Sequence, residues 1–281
     1  MHADILIHGP CEPEWMIDPH IIDTTVGSKS YNLSLNHSDF ADNYLHLYLY
    51  LKYQKTPKYL FLYVTPVSFD EEIANTFNTY RFSPFIDEPV VFETVKELDP
   101  TYAKYSFIPS MRFAYYSEFT YLKAIQGGYY FLTGRKKVEH PNGYAPALSS
   151  WNTAISEYRV NHSYYNKMNW SILREKYFRK TIELAQSKGI KVILYESPIY
   201  KPDEELLDNR KPMMEKIKLI ADSYKVPFLV FDTLEMANKK ENFFATYNTT
   251  HKGSCEFSTH FANYIKENIY NVDREEMTLS K

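Results

Sequence analysis

Cys11, Asn248 and His251 supply the residue types of a nucleophilic acyl-transfer site: a thiol nucleophile, an imidazole base and an amide that orients the base. Cys11 follows a short apolar run, Ile5-Leu6-Ile7, that Gly9 and Pro10 stop abruptly. Asn248 and His251 stand in Tyr247-Asn248-Thr249-Thr250-His251, just ahead of the last helical pattern. If both loops reach one sheet edge, thiol and imidazole meet although nearly the whole chain separates them. The plain alternative is a space-filling loop cysteine and a histidine satisfied by hydrogen bonds. Glu12 and Glu14 oppose ionisation of the thiol, whereas an ion pair with His251 favours it. A neutral Asn248 stabilises an imidazolium less than a carboxylate would, and the sign of the sum stays open at this point.

Other chemistries are weaker in the sequence. His8, Cys11, His251 and Cys255 are a conceivable metal set, but H-x-x-x-C is poor ligand spacing and the first pair lies far away. With eight glycines and no Walker or dinucleotide fingerprint, no phosphate-cradling loop is present. Neither a metal nor a cofactor is expected.

The elements that must position these residues follow from the hydrophobic pattern. Ile5–Ile7 reads as a strand buried on both faces of a parallel sheet. Pro19 to Asp23 reads as one helical turn, and Lys29 to Leu35 as a second strand. Asp39 is a helix N-cap, and Tyr44, Leu45, Leu47, Tyr48 and Leu51 recur at helical spacing up to Lys52. Lys58 to Thr65 is a third strand, which makes a right-handed crossover unit. Ile172, Leu173, Tyr177, Ile182 and Leu184 trace a later helix ending at Lys188-Gly189. Ile190–Tyr195 and Pro227–Phe231 are further strands; Lys211–Tyr224 is the helix between them and Gly253–Ile269 the closing helix. The expectation is an α/β fold, a three-layer, doubly wound, parallel five-stranded sheet of flavodoxin-like order 2-1-3-4-5 with Ile5–Ile7 central. Ligands of such sheets bind beyond the strand carboxyl ends where strand order reverses, which is where Cys11 would sit.

Between about residues 66 and 151 the pattern loosens. Glu88–Leu98 reads as a helix closed by Pro100, Tyr102–Leu132 as an aromatic-rich stretch broken at Gly127-Gly128, and Gly134–Trp151 as a loop. This insertion is expected to be a helical, aromatic-rich cap over the strand carboxyl ends, within a single domain spanning residues 1–281.

Composition excludes several function classes. Lys and Arg number 32 against 35 Asp and Glu, so no long-range field draws in nucleic acid or an anionic membrane. No window holds the roughly 18 uncharged apolar residues of a membrane-spanning helix, and no signal-peptide pattern opens the chain. The chain as given is expected to be soluble, as a cytoplasmic protein or as the soluble part of a cell-envelope protein whose anchor preceded it. The 26 Tyr, 18 Phe and 3 Trp suit a carbohydrate or peptide groove, although an ordinary core absorbs most of them.

The order of a strand, a glycine-x-nucleophile block at its end and an Asp-x-x-His block before the last helix resembles the SGNH (GDSL-like) hydrolases. Gly9-Pro10-Cys11 falls on the first block, followed by Ile17-Asp18-Pro19 and Tyr31-Asn32-Leu33 as in certain bacterial forms. Pro57-Lys58-Tyr59 opens the third strand, and Asn248-Thr249-Thr250-His251 falls on the last block. The resemblance covers nearly the whole chain outside the insertion. It implies ester-cleaving or acyl-transferring chemistry, with Cys11 replacing the family's serine, Asn248 its triad aspartate, and His251 retained. The family's oxyanion glycine would fall near His37, beside Ser38. Its oxyanion asparagine has no counterpart in Tyr63-Val64-Thr65-Pro66. Gly9, His37, Ser38 and Thr65 are therefore the expected oxyanion and pocket residues. Loss of one oxyanion donor costs roughly 10²–10³ in rate, so several departures together also describe a retired site.

Three readings follow. The chain is a hydrolase or acyltransferase acting on an ester such as an O-acylated glycan; or it is a retired relative that keeps the crevice as a binding site in surface-polysaccharide handling; or it is an interaction domain that uses its aromatic insertion. Cys11, His37, Asn248 and His251 are expected to converge on one crevice. Cys255, one helical turn after His251, would allow a regulatory disulfide to Cys11 if their Cα atoms lie within about 7 Å.

Overall fold

The computed structural model describes residues 2–71, 77–108, 112, 118–134, 142–147, 168–204 and 209–272. Two compact units divide them, Met1–Asn75 with Asn142–Lys281 as the main unit and Thr76–Pro141 as the inserted one. In chain order the main unit opens with β1 (Ile5–His8), α1 (Glu12–Met16), α2 (Pro19–Val26), β2 (Ser30–Asn32), α3 (Phe40–Tyr53) and β3 (Tyr59–Tyr63). The inserted unit contributes α4 (Thr79–Phe82), α5 (Pro89–Leu98), α6 (Pro100–Tyr105) and α7 (Glu118–Thr133). The main unit resumes with α8 (Ile172–Ser187), β4 (Lys191–Glu196), α9 (Lys201–Glu204), α10 (Arg210–Tyr224) and β5 (Phe228–Val230). It closes with a hairpin of β6 (Phe243–Ala245) and β7 (Asn248–Thr249), then α11 (His251–Ile265).

The sheet is all parallel in the order β2-β1-β3-β4-β5, so β1 is central and strand order reverses beside it, as expected. Ile7 stands level with Asn32 on one side and Phe61 on the other. The two-residue alternation of a strand explains why continuous apolar runs are needed. Ile5, Ile7, Phe61, Tyr63, Ile193 and Tyr195 form one core with Ile22 of α2 and with Phe257, Phe261 and Ile265 of α11. Leu6, Leu60, Leu62 and Leu194, also without exposure, take the opposite face. There α3 and α8 pack together, with Phe40 and Phe178 rings 5.0 Å apart. Both faces are thus covered by helices. Asp39 starts α3 through a reciprocal capping box with Asp42.

Several elements differ from expectation for identifiable reasons. The second strand pairs over only three residues, since the chain turns past Asn32, whose Oδ1 accepts from the Ser34 N–H at 3.1 Å while its Nδ2 donates to the Pro13 and Ile17 carbonyls at 2.6 and 3.1 Å. α2 runs to Val26, where Gly27 at φ 72 ends it in the left-handed conformation. α7 continues through Gly127-Gly128; two glycines cost about 2 kcal/mol of helix propensity, which the rest of a 16-residue helix absorbs. α11 starts at His251, two residues early, because Thr250 caps it by accepting from the Gly253 N–H. Residues 66–71 and 142–147, read as parts of the insertion, belong to the main unit. Asn142 O accepts from Asn32 N, and Glu14 O from Ala145 N, both at 2.9 Å. Trp151, the expected end of the insertion, lies outside the described residues.

Candidate functional site

Gly9 carries the chain off β1 so close to β3 that a Cβ there would lie 2.6 Å from Tyr63 Cβ, so no other residue fits. Cys11 follows directly at the lip of the sheet, and its thiol points to the Ser38 carbonyl at 4.0 Å. The thiol is pushed up to about 11, first by burial and then by the Glu12 carboxylate, against backbone hydrogen bonds at Ser38 and His37. The sign that the sequence left open is therefore that of a protonated thiol at neutral pH. Arg174 of α8, buried and drawn below its usual range by desolvation, lies within electrostatic reach of Cys11, Asp39 and Asp70. Sequence reasoning passed over Arg174. Its only signal was an arginine on the apolar side of a helix.

The loop beyond β2 is fastened to itself. Ser38 Oγ donates to Leu35 O at 2.5 Å, and His37 N donates to Asn36 Oδ1 at 2.8 Å. His37 adopts φ 52, a left-handed conformation that glycine takes more easily, at the place where the resemblance puts a glycine. Its N–H, the would-be oxyanion donor, is already engaged. Below the loop, His8 Nε2 bonds Asn43 O at 2.8 Å, and burial lowers the imidazole to about 4. Asn43 Nδ2 is buried and has no hydrogen-bond partner among the described residues.

Thr65, just past β3, donates its hydroxyl to Glu196 Oε1 at 3.1 Å. Glu196 ends β4 fully buried and holds Arg210 of α10 at 2.7 Å. That guanidinium also meets Glu204 at 3.1 Å and Asp232 at 3.7 Å. Burial raises the Glu196 carboxyl to about 7 despite the pull of Arg210 and Thr65, with Asp232 and Glu204 adding to the rise. Sequence reasoning ended this strand at Tyr195, one residue short of the buried carboxylate. Beside it, burial and the Glu12 carboxylate hold the phenols of Tyr63 and Tyr195 well above their usual range. Tyr195 Oη has no hydrogen-bond partner among the described residues.

His251 opens α11 with its side chain exposed. Its Nδ1 lies 3.0 Å from Tyr144 Oη, and Cys255 Sγ, one turn on, lies 3.8 Å from Nε2 and 3.9 Å from Nδ1. Ala147 O accepts from the His251 N–H at 3.1 Å, so the 142–147 segment fixes both backbone and ring. Asn248 lies in β7, its Oδ1 buried with no hydrogen-bond partner among the described residues. The structure therefore joins Cys11 to Ser38 and His37, Thr65 to Glu196, and His251 to Tyr144 and Cys255. Among the described residues no hydrogen bond links Cys11 to His251 or Asn248 to either. Both cysteines are free thiols. Among the described residues no group of three His, Cys, Asp or Glu side chains converges in a way that could hold a metal ion.

No protein-family model matches this chain. No curated protein matches it either. What fold and site define is an α/β protein with a five-stranded parallel sheet and hydrogen-bonded polar side chains at the carboxyl ends of its strands.

Proposed function

We propose that this is an SGNH-hydrolase-like protein of flavodoxin-like topology whose crevice binds an ester-bearing ligand, such as an O-acylated glycan, without cleaving it through Cys11. One observation carries the reading. The thiol and the imidazole of the expected pair are hydrogen-bonded elsewhere, and the thiol is held protonated. The other catalytic roles are also engaged, since the His37 N–H donates to Asn36 and the Thr65 hydroxyl to Glu196.

The test sets turnover against binding. Wild type and Cys11→Ala are screened side by side on p-nitrophenyl acetate and on an O-acetylated glycan, and titrated calorimetrically with the same glycan before and after deacetylation. The expected result is no Cys11-dependent hydrolysis, together with binding of the acetylated glycan that survives in Cys11→Ala. Hydrolysis that disappears in both Cys11→Ala and His251→Ala would restore the esterase or acyltransferase reading and refute this one.

A further inference from the structure

The main unit holds a cavity at the end of the sheet opposite to Cys11. Its lining includes Tyr59 and Lys191, the first residues of β3 and β4, and Pro227, which just precedes β5. The volume is about 390 Å³, within the roughly 300–1,000 Å³ of small-ligand pockets. Ile193 belongs to the core on the α11 face, and Leu229, Tyr264 and Ile269 pack against that core while staying only partly buried. Past Ile265 the closing helix continues as a π-helical turn, Lys266–Tyr270, which brings Asn268 and Ile269 to the lining. Such wide turns occur mostly as single-turn departures from α geometry, frequently at functional sites. Apolar side chains left half-covered around a cavity of this size are a surface that a ligand's apolar body can cover.

Charge selects the kind of ligand. Lys191 and Lys225 are the charged residues among the described residues that line the cavity, which include no Asp or Glu, although the chain's formal net charge is -3. Both lysines are exposed, so their ammonium groups stay hydrated and charged. Lys225 ends α10 at φ 55, a left-handed conformation where glycine is the easier residue. Gln186 and Asn268 add side-chain amides, which can donate to an anion. An anionic head on an apolar body matches both halves of this lining, whereas an amine finds no carboxylate to meet it. Two lysines without an arginine fork suit a singly charged carboxylate better than a polyphosphate, whose charges would outnumber them.

We propose that this cavity binds an aliphatic carboxylate, a medium-chain fatty acid, with its chain against Ile193, Leu229, Tyr264 and Ile269 and its head group at Lys191 and Lys225. The experiment is calorimetric titration of the full chain with octanoate, hexanoate, octanol and octylamine. Octanoate is expected to bind, and hexanoate about 15-fold more weakly, at about fourfold for each methylene lost. Octanol, of equal chain length but uncharged, should bind roughly tenfold more weakly than octanoate, and octylamine more weakly still. Ile269→Trp fills the cavity from a half-buried position at the helix end and should abolish binding. Lys191→Gln combined with Lys225→Gln should weaken octanoate roughly tenfold and leave octanol unchanged. These two positions are exposed, so the lysine pair decides the matter even where the tryptophan variant loses its fold. Absence of octanoate binding, octylamine binding as tight as octanoate, or an affinity for octanoate that the lysine pair does not change overturns the proposal. So does octanoate binding that survives in a folded Ile269→Trp, because the ligand would then sit elsewhere on the molecule.

Discussion

The protonation of Cys11 gives the sharpest test of how this site is built. With the thiol at about 11 in place of 9.0, the thiolate fraction at pH 7 falls from about 10⁻² to about 10⁻⁴. In a Cys255→Ser background, which removes the other free thiol, iodoacetamide should therefore label Cys11 about 100-fold more slowly than a model thiol, before any slowing by burial. The labelling rate, read by intact-protein mass spectrometry, should climb about tenfold per pH unit between pH 7 and 9 without levelling. Glu12→Gln removes the second cause of the shift and leaves the first, burial, so labelling speeds up yet stays slower than the model thiol. His251→Ala should leave the rate unchanged, since the imidazole bonds Tyr144 and Cys255 instead. A plateau near pH 7, or a rate that falls with His251→Ala, would mean that the thiol ionises against His251 and that the site reasoning is wrong.

Three further outcomes follow from the same geometry. Arg210→Met leaves the fully buried Glu196 without its cation and should cost about 3–5 kcal/mol in urea unfolding, whereas Arg210→Met with Glu196→Met should recover most of it. His8 stays neutral in the folded state down to about 4 while the unfolded chain protonates it near 6.5. Unfolding thus takes up a proton in that window, and stability falls as pH drops from 6.5 to 4, by up to about 3 kcal/mol. His8→Asn should flatten this part of the pH dependence of the urea midpoint. Gly9→Ala forces a Cβ to within 2.6 Å of Tyr63 Cβ and should lower stability by about 1–3 kcal/mol, read from the thermal midpoint.

How much of this was legible in the sequence depends on whether a feature was local. Strand order could be read because the central strands are apolar on both faces, and only a parallel sheet covered by helices buries such runs. The Asp39 cap was legible for the same reason, since its partners lie two and three residues away. The tie between β2 and α1 was not, because the Asn32 amide that makes it reaches the Pro13 and Ile17 carbonyls well back along the chain. The Gly127-Gly128 pair misled because propensity counts single residues, whereas helix formation is cooperative over the whole segment.

The site divides along the same line. Sequence placed Cys11 at a strand end, where the chain puts it, and His251 just ahead of the last helix, of which it is instead the first residue. Which atoms they bond was decided by a segment with no periodic signal, 142–147, whose Tyr144 takes the imidazole that Cys11 would have needed. The thiol's protonation was decided first by burial, a property of the folded chain and not of neighbouring letters. A carboxylate at position 12 opposes ionisation wherever the chain folds, but only burial makes that opposition large, because a charge with little water around it has nothing else to stabilise it. Position 11 therefore keeps its place at the strand end while burial and the Glu12 carboxylate hold its thiol protonated.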